Sequence, residues 1–204
     1  MQSNPDIPLA AGSHATRADG MCAMEMVAWL AGEPHSDEPQ CACPVLGALV
    51  RACNDAMSDT QRNRYLRPLV PVLVGTRRTA AVERARGLLV VDALVRTLLP
   101  LRLRRERRLE EARLLADLPP IERLEDARAA LRAVEHFALR QHATQWVLAR
   151  AVEGTPAARY VAGAVMVAKA LNDHAGWTAM VALIERLVAC DGSAAAPAVA
   201  FASS

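Results

Sequence analysis

The sequence predicts an all-α protein: a single-domain helical bundle of about eight helices with disordered N- and C-terminal tails. Apolar residues make up 52% of the 204 residues, and aromatic residues only 3%, so the core must be aliphatic and rich in alanine. This composition favours helices, because strands are enriched in β-branched and aromatic residues. Apolar residues also recur at helical spacing along the chain, and no strand-like alternation rises above that signal.

The N-terminal part is predicted to contain a tail, a helix and a loop. Residues 1–18 are rich in Pro, Ser, Gly and Asn and are expected to be disordered. A first helix is predicted from about Asp19, which acts as its N-cap, to Ala31. Residues 33–43 contain two prolines and form a loop.

Two further helices follow the loop. Pro44 opens the second helix, because proline is favoured at the first helical position. Ser58-Asp-Thr-Gln61 is a capping-box pattern that opens a third helix toward Leu66. Pro68 and Pro71 break or kink the chain after it.

The middle of the chain is predicted to contain three longer helices. Thr79 caps an apolar helix that runs to about Leu99, where Pro100 interrupts it. An arginine-rich helix is predicted over residues 101–116, and a long helix over residues 121–152.

Glycine and proline mark the remaining boundaries. Gly154-Thr-Pro156 precedes a helix that ends near Leu171, and a last helix ends near Ala189. The predicted organisation is therefore a first tail, one helical domain and a second tail: residues 1–18, residues 19–190 (a motif-bearing module 19–100 and Ala/Arg-rich helices 101–190) and residues 191–204.

Charge and hydropathy exclude several classes of partner. The formal net charge is +2, and acidic residues are interleaved with the basic ones, so no nucleic acid is expected. The arginine-rich run Arg102–Arg108 is interpreted as a solvated helix face. No apolar run reaches the roughly 18 residues that span a bilayer, so no membrane is expected. No signal peptide is recognised, which predicts a cytoplasmic protein whose five cysteines are reduced thiols.

The segment from Cys22 to Pro44 concentrates the chemically reactive side chains. It holds three cysteines, four acids and one histidine in 23 residues, beside a chain that is mostly Ala, Leu, Val and Arg. Cys22 falls at a helix start, where the helix dipole favours a thiolate, and Glu25 lies one turn later. The catalytic candidates here are Cys22, Glu25, His35 and Asp37, as acid/base groups or as a thiol nucleophile.

A mixed metal site is an alternative use of the same segment. Its candidate ligands are Cys22, Glu25, His35 and Cys41, although their spacing matches none of the common zinc patterns. No cofactor is required by the sequence. A third alternative is purely structural, with the cysteines as small buried side chains, Glu25 as an ion-pair partner and His35 on a solvated loop.

Asp92 interrupts a strongly apolar helix, and Arg96 lies one turn later. A buried acid must be paired or hydrogen-bonded, so one interpretation is a structural ion pair. The other is that the two residues flank a pocket under the first loop. In that case Asp92 is a further acid/base candidate, and Arg96, Ser36 and Trp29 are candidate substrate contacts.

The motifs together resemble an uncharacterised, mainly actinobacterial family of helical proteins with no assigned activity. The resemblance rests on Cys22-Ala-Met-Glu25, Gly32-Glu33, His35-Ser-Asp37, Pro39, Cys41 and Pro44-Val45, and it continues through Asn54-Asp55, Leu73-Val-Gly-Thr76 and Asp92-Ala-Leu-Val-Arg96. It covers about residues 19–100 and implies that the first motif and Asp92–Arg96 belong to one module and share a site.

The leading functional hypothesis is a small helical enzyme that acts on an organic metabolite, in bacterial specialised metabolism. The first alternative is a non-catalytic module that binds a partner protein or forms a homo-oligomer. The second is the metal-binding protein described above. Whether the protein is an enzyme at all stays open at this point.

Overall fold

The computed structural model describes residues 7–136 and 142–191, and within these ranges all regular structure is helical, with no strand. The α-helical fold class predicted from the sequence is therefore confirmed. The helices follow one another in this order: α1 Ala23–Leu30, α2 Pro44–Ala56, α3 Asp59–Tyr65, α4 Val70–Leu73, α5 Ala80–Ala93, α6 Leu99–Arg105, α7 Leu109–Ala116, α8 Leu124–His136, α9 His142–Val152, α10 Ala162–Leu171 and α11 His174–Ala189.

The first helix is shorter than predicted. It begins at Ala23 with Cys22 as its N-cap, not at Asp19, and it ends at Leu30. Gly20 has a φ of +131°, a conformation that residues with a side chain rarely adopt, so the chain cannot be helical before Cys22. Cys22 and Glu25 form a capping box in which the thiol takes the place of the usual serine or threonine hydroxyl.

The sequence predicted that Pro100 interrupts the helix, but the helical segment continues through it. A π-helical turn, Leu94–Leu98, joins α5 to α6, and Pro100 sits in the first turn of α6. The backbone N–H of Leu99 bonds to the carbonyl of Leu94, five residues back. The first turn of a helix tolerates proline because its N–H groups have no intrahelical partner. The π-helical turn before α6 places Pro100 at such a position.

Two predicted helices are each divided in the structure. The arginine-rich helix breaks at Arg107, whose φ is +60°, and α7 starts two residues later. Arg108 N–H bonds to the Leu103 carbonyl and Arg107 N–H to the Arg104 carbonyl, which is a Schellman helix end. The predicted helix 121–152 appears as α8 and α9, which pack against each other, an arrangement impossible for one continuous helix.

The helices pack around α2 and α10. Helix α2 contacts α1, α5, α10 and α11, and α10 contacts α2, α6, α9 and α11. The core is aliphatic as expected from the composition, and its most deeply buried large side chains include Met24, Leu46, Leu49, Leu94 and Trp177. Because α1 packs on both α2 and α4, the N-terminal motif is fixed against the bundle.

Residues 7–18 are packed on the domain, contrary to the expectation of a disordered tail there. Leu9 is only 2% exposed, and its backbone N–H donates to Asn63 Oδ1. Ala10 N–H donates to the Met21 carbonyl, and its own carbonyl accepts from Asn54 Nδ2. These polar contacts with distant residues could not be read from the local composition. Residues 1–6 and 192–204, the rest of the two predicted tails, lie outside the described residues.

Two buried arginines tie separate parts of the bundle together. Arg62 is 2% exposed and donates to the carbonyls of Asn54 and Met57. Arg86 is 1% exposed and donates from α5 to the carbonyls of Thr76 and Leu187. Carbonyls near helix ends lack intrahelical donors, so a guanidinium satisfies several of them at once.

No helix among the described residues is long and apolar enough to cross a membrane.

Candidate functional site

The capping box at the start of α1 is the centre of the N-terminal motif. The backbone N–H of Cys22 donates to Glu25 Oε2 at 2.7 Å, and the N–H of Glu25 donates to Cys22 Sγ at 3.4 Å. Glu25 is 1% exposed, so its carboxylate must find donors inside the protein. The local sequence Cys22-Ala-Met-Glu25 supplies the first of them.

His14 supplies the other two short hydrogen bonds. Its backbone N–H donates to Glu25 Oε1 at 2.6 Å, and its ring Nδ1 lies 2.9 Å from Oε2. Burial alone would raise the pKa of Glu25, but the N–H groups of Cys22 and His14 and the side chains of the same two residues stabilise the carboxylate and lower the pKa overall. The carboxylate is therefore ionised and fully engaged at neutral pH.

Gly20 makes room for the imidazole of His14. A Cβ at position 20 would lie 2.9 Å from both Cδ2 and Nε2 of that ring, closer than real Cβ contacts. Sequence analysis missed His14, because residues 1–18 were assigned to a tail. The feature of the sequence that could have identified His14 is its closeness along the chain to Gly20 and to the capping box of Cys22 and Glu25.

His35, a predicted catalytic residue, does reach Glu25. Its Nε2 lies 3.0 Å from the His14 carbonyl oxygen and 3.6 Å from Glu25 Oε1. A carbonyl only accepts hydrogen bonds, so Nε2 carries a proton. Nδ1 is fully enclosed and has no hydrogen-bond partner among the described residues. The ring thus links the loop to the N-terminal segment.

The thiol of Cys22 is not activated as the sequence predicted. Burial raises its pKa to about 12, and this effect outweighs the backbone hydrogen bond from Glu25, which favours the thiolate; the negative charge of Glu25 raises the pKa further. The helix start was expected to favour a thiolate, but burial and the nearby carboxylate oppose one. Burial also raises the pKa of Cys41.

The loop after α1 is fixed by several polar contacts. Glu33 accepts hydrogen bonds from the backbone N–H groups of Gln40 and Cys41, which closes the loop across its base. Ser36 Oγ accepts from the Glu38 N–H, so this candidate substrate contact forms a local turn. Arg51 of α2 donates to the Asp37 carbonyl at 2.8 Å and to Glu38 Oε1 at 2.9 Å.

Asp37 and Cys22 line one small cavity together with Arg51, Asn54 and Asp55 of α2. Its volume is about 190 Å³. The side chain of Asp37 is partly exposed, and its Oδ2 lies 3.9 Å from Arg51 Nε. Two predicted catalytic residues therefore share a cavity, although its volume is below the range usual for organic ligands.

Asp92 and Arg96 form a separate cluster and line neither cavity beside the loop. Asp92 Oδ1 accepts from Arg96 Nη1 at 2.9 Å and from the Ile121 N–H at 3.1 Å. Arg186 Nη2 of α11 lies 3.6 Å from Oδ2. These contacts correspond to the structural ion pair, which was one of the two interpretations of the sequence.

The remaining predicted residues are spread over the surface of the motif. Trp29 is partly buried, and the guanidinium carbon of Arg17 lies 5.9 Å from its ring centroid. The metal alternative required Cys22, Glu25, His35 and Cys41 to converge. Among the described residues, no group of three or more His, Cys, Asp and Glu side chains could hold a metal ion.

The arginine-rich run is paired with neighbouring acids and carbonyls. Arg102 lies 2.9 Å from Glu106, and Arg108 lies 3.1 Å from Glu111. Arg105 donates to the Leu171 carbonyl. Most of its charge is thus locally engaged, in keeping with a solvated face.

A larger cavity of about 440 Å³ lies on the far side of the loop, and sequence analysis missed it. Its walls include Glu38 and Gln40 of the loop, Met24 of α1 and Gly47 of α2. Three arginines from distant parts of the chain also line it: Arg51, Arg77 and Arg159. No local pattern brings these three positions together, because they meet through the packing of α2 against the 3₁₀ turn Ala157–Arg159.

Comparison of the chain with protein-family models, with curated protein sequences and with solved structures finds no match.

Proposed function

We propose that the protein binds a small anionic organic molecule in the 440 Å³ cavity beside the loop, which we call the arginine cavity. The observation that carries the proposal is the charge of its lining, which comprises Arg51, Arg77 and Arg159 against the single acid Glu38. The volume falls within the roughly 300–1,000 Å³ that organic ligands occupy. A phosphate or carboxylate fits guanidinium donors in both charge and geometry.

Two of the three guanidinium groups are available for a ligand. Arg51 already pairs with Glu38, but the side chains of Arg77 and Arg159 have no hydrogen-bond or ion-pair partner among the described residues. Both side chains are solvent-exposed, so holding them without a partner costs little in the unliganded protein. The backbone of Arg77 is fixed by its N–H bond to the Cys41 carbonyl, which positions the residue at the loop.

Acid/base or thiol chemistry receives less support than binding does. The carboxylate of Glu25 accepts three short hydrogen bonds, and the pKa of Cys22 is raised to about 12. A general base needs a free lone pair near its substrate, and a nucleophile needs an accessible thiolate. Self-association, the other alternative from the sequence, stays a prediction that sedimentation of the purified chain would test.

The binding proposal is tested by calorimetric titration at low ionic strength. The probes are ribose 5-phosphate and citrate, with ribose as the uncharged control. We expect the two anions to bind, ribose not to bind, and affinity to fall with added salt because exposed charges are screened.

Matched arginine variants locate the site. The double variant Arg77→Gln/Arg159→Gln is expected to bind the anions at least tenfold more weakly. Arg104→Gln is the control, because Arg104 is also exposed and its side chain has no partner among the described residues. Absence of anion binding to the wild type, or equal loss in the control, would show the proposal to be wrong.

A further inference from the structure

A second cavity, which we call the tyrosine cavity, lies on the other side of the 3₁₀ turn Ala157–Arg159. Its volume is about 490 Å³, and Ala158 lines both cavities. Most of its other lining residues are aliphatic. They belong to α5, α8, α9 and the segment that forms the turn, and they are Ala80, Leu88, Leu124, Ala151, Pro156 and Ala157. This lining differs in kind from that of the arginine cavity.

The turn that bears Tyr160 is built by two glycines. Gly154 has a φ of +77° and ends α9, with Thr155 N–H bonding back to the Arg150 carbonyl. Gly87 of α5 lets the turn lie close, because a Cβ there would be 2.6 Å from both Ala157 Cβ and Tyr160 Oη. The ring of Tyr160 is thereby pressed against the backbone of α5.

The hydroxyl of Tyr160 has no partner. Tyr160 is 4% exposed, and its hydroxyl makes no hydrogen bond to any described residue. The oxygen is nevertheless not among the fully enclosed unpaired atoms. Because Tyr160 lines the cavity, we assign the small exposed surface of its hydroxyl to that side. A buried hydroxyl without a partner is costly, and a ligand that supplies one recovers that cost.

The charges at this cavity do not select an ion. Within the part of the chain that the structure describes, its only charged lining residues are Glu83 and Arg84, which are adjacent and opposite in sign. Burial raises the pKa of Tyr160 to about 12, so the hydroxyl keeps its proton at neutral pH. The cavity therefore presents apolar walls and one neutral group that can donate a hydrogen bond.

We infer that the tyrosine cavity binds an uncharged, mostly apolar organic molecule whose carbonyl oxygen accepts a hydrogen bond from Tyr160. Such cavities bind through apolar contact and use a few polar groups for orientation. This site is independent of the arginine cavity, since it takes a different class of ligand and uses none of the three arginines.

Two matched neutral probes test the inference by ligand-observed NMR titration of the full chain. The ketone 2-acetonaphthone carries a carbonyl acceptor, and 2-ethylnaphthalene has nearly the same shape without one. We expect both to bind the wild type. Tyr160→Phe is expected to weaken the ketone about three- to tenfold, the value of one hydrogen bond, and to change the hydrocarbon by less than about twofold.

Three further variants identify where the probes bind. Ala80→Trp places a large ring at an exposed position of the cavity wall, and Leu88→Trp fills the same space from the next turns of α5. Either one is expected to weaken both probes. Met166→Ser alters a different apolar groove, which Met166 and Trp146 line, and is expected to change neither.

The inference is overturned by any of three results. The first is that neither probe binds, and the second is that Tyr160→Phe affects both probes equally or not at all. The third is that Met166→Ser, and not the tryptophan variants, abolishes binding. The Arg77→Gln/Arg159→Gln protein should bind both neutral probes as the wild type does, so failure of this inference is distinguishable from failure of the anion proposal.

Discussion

Glu25 and Asp92 are both buried carboxylates that the sequence marked as catalytic candidates, and their surroundings differ. Glu25 accepts from the N–H groups of Cys22 and His14, which lie on the segment leading into its own helix. Asp92 accepts from the Ile121 N–H and from Arg96, and it forms a longer ion pair with Arg186. The first carboxylate shapes a local chain segment, whereas the second joins elements that are distant in the sequence.

The difference shows how much of the role of an acidic residue can be inferred from its apolar sequence context. Both residues satisfy the rule that a buried carboxylate needs donors. Neither has a free face that an organic substrate could approach, because their oxygens are already engaged. At the two cavities, by contrast, the side chains of Arg77 and Arg159 and the Tyr160 hydroxyl have no hydrogen-bond or ion-pair partner among the described residues.

Truncation of Glu25 is expected to have the largest effect. Glu25→Ala would leave the N–H groups of Cys22 and His14 buried without acceptors and would release the segment before α1. We expect a loss of about 3–5 kcal/mol in the free energy of unfolding. Urea denaturation followed by circular dichroism measures it. A smaller loss in the free energy of unfolding than that of Asp92→Asn would contradict the expectation that Glu25 contributes more to stability than Asp92.

Low pH should remove part of the stability that Glu25 contributes to the fold. The pKa of Glu25 is lower in the folded protein than its ordinary value of 4.5, so its stabilising effect is present above about pH 4.5 and is lost as the pH falls through the folded pKa. The difference in unfolding free energy between wild type and Glu25→Gln should therefore be constant from pH 6 to about 4.5 and shrink below it. A difference that stays constant to pH 3 would mean that folding does not lower the pKa of Glu25.

Asp92→Asn is expected to cost less, about 1–3 kcal/mol. The asparagine oxygen can still accept from the Ile121 N–H, so only the attraction to the two arginines is weakened. The side chains of Arg96 and Arg186 are 27% and 51% exposed, and solvent screens their interaction with Asp92. Urea denaturation in low and high salt measures both effects, and a salt-independent cost above that of Glu25→Ala would reverse the ranking.

Cys22→Ser is expected to have the smallest effect, within about 1 kcal/mol, since serine is a strong N-cap residue. The same variant should bind anions as the wild type does, because Cys22 does not line the arginine cavity. Alkylation of the wild type by iodoacetamide at pH 8, mapped by mass spectrometry, should leave Cys22 largely unmodified. Rapid modification of Cys22 would restore the thiol hypothesis.

The sequence was most informative where structure is local. The capping box of Ser58 and Gln61, the proline at the start of α2 and the cap at Thr79 were all predicted, because each depends on residues within one turn. The prediction that Cys22, Glu25, His35, Asp37 and Cys41 gather near one point agrees with the structure for Cys22 and His35, which both lie against Glu25. The proposal that Asp92 joins them does not, since its partners belong to α11 and to the segment before α8.

The sequence by itself determined the helical fold class and the starts of α2, α3 and α5, because spacing and capping act over a few residues. It also marked Glu25 as a residue that needs partners. Only the tertiary structure decided that His14 is one of those partners, that Asp92 belongs to another cluster, and that three arginines surround a cavity. The physical reason is that a buried polar group or a cavity wall is completed by whichever distant segment packs against it, and local spacing carries no record of that segment.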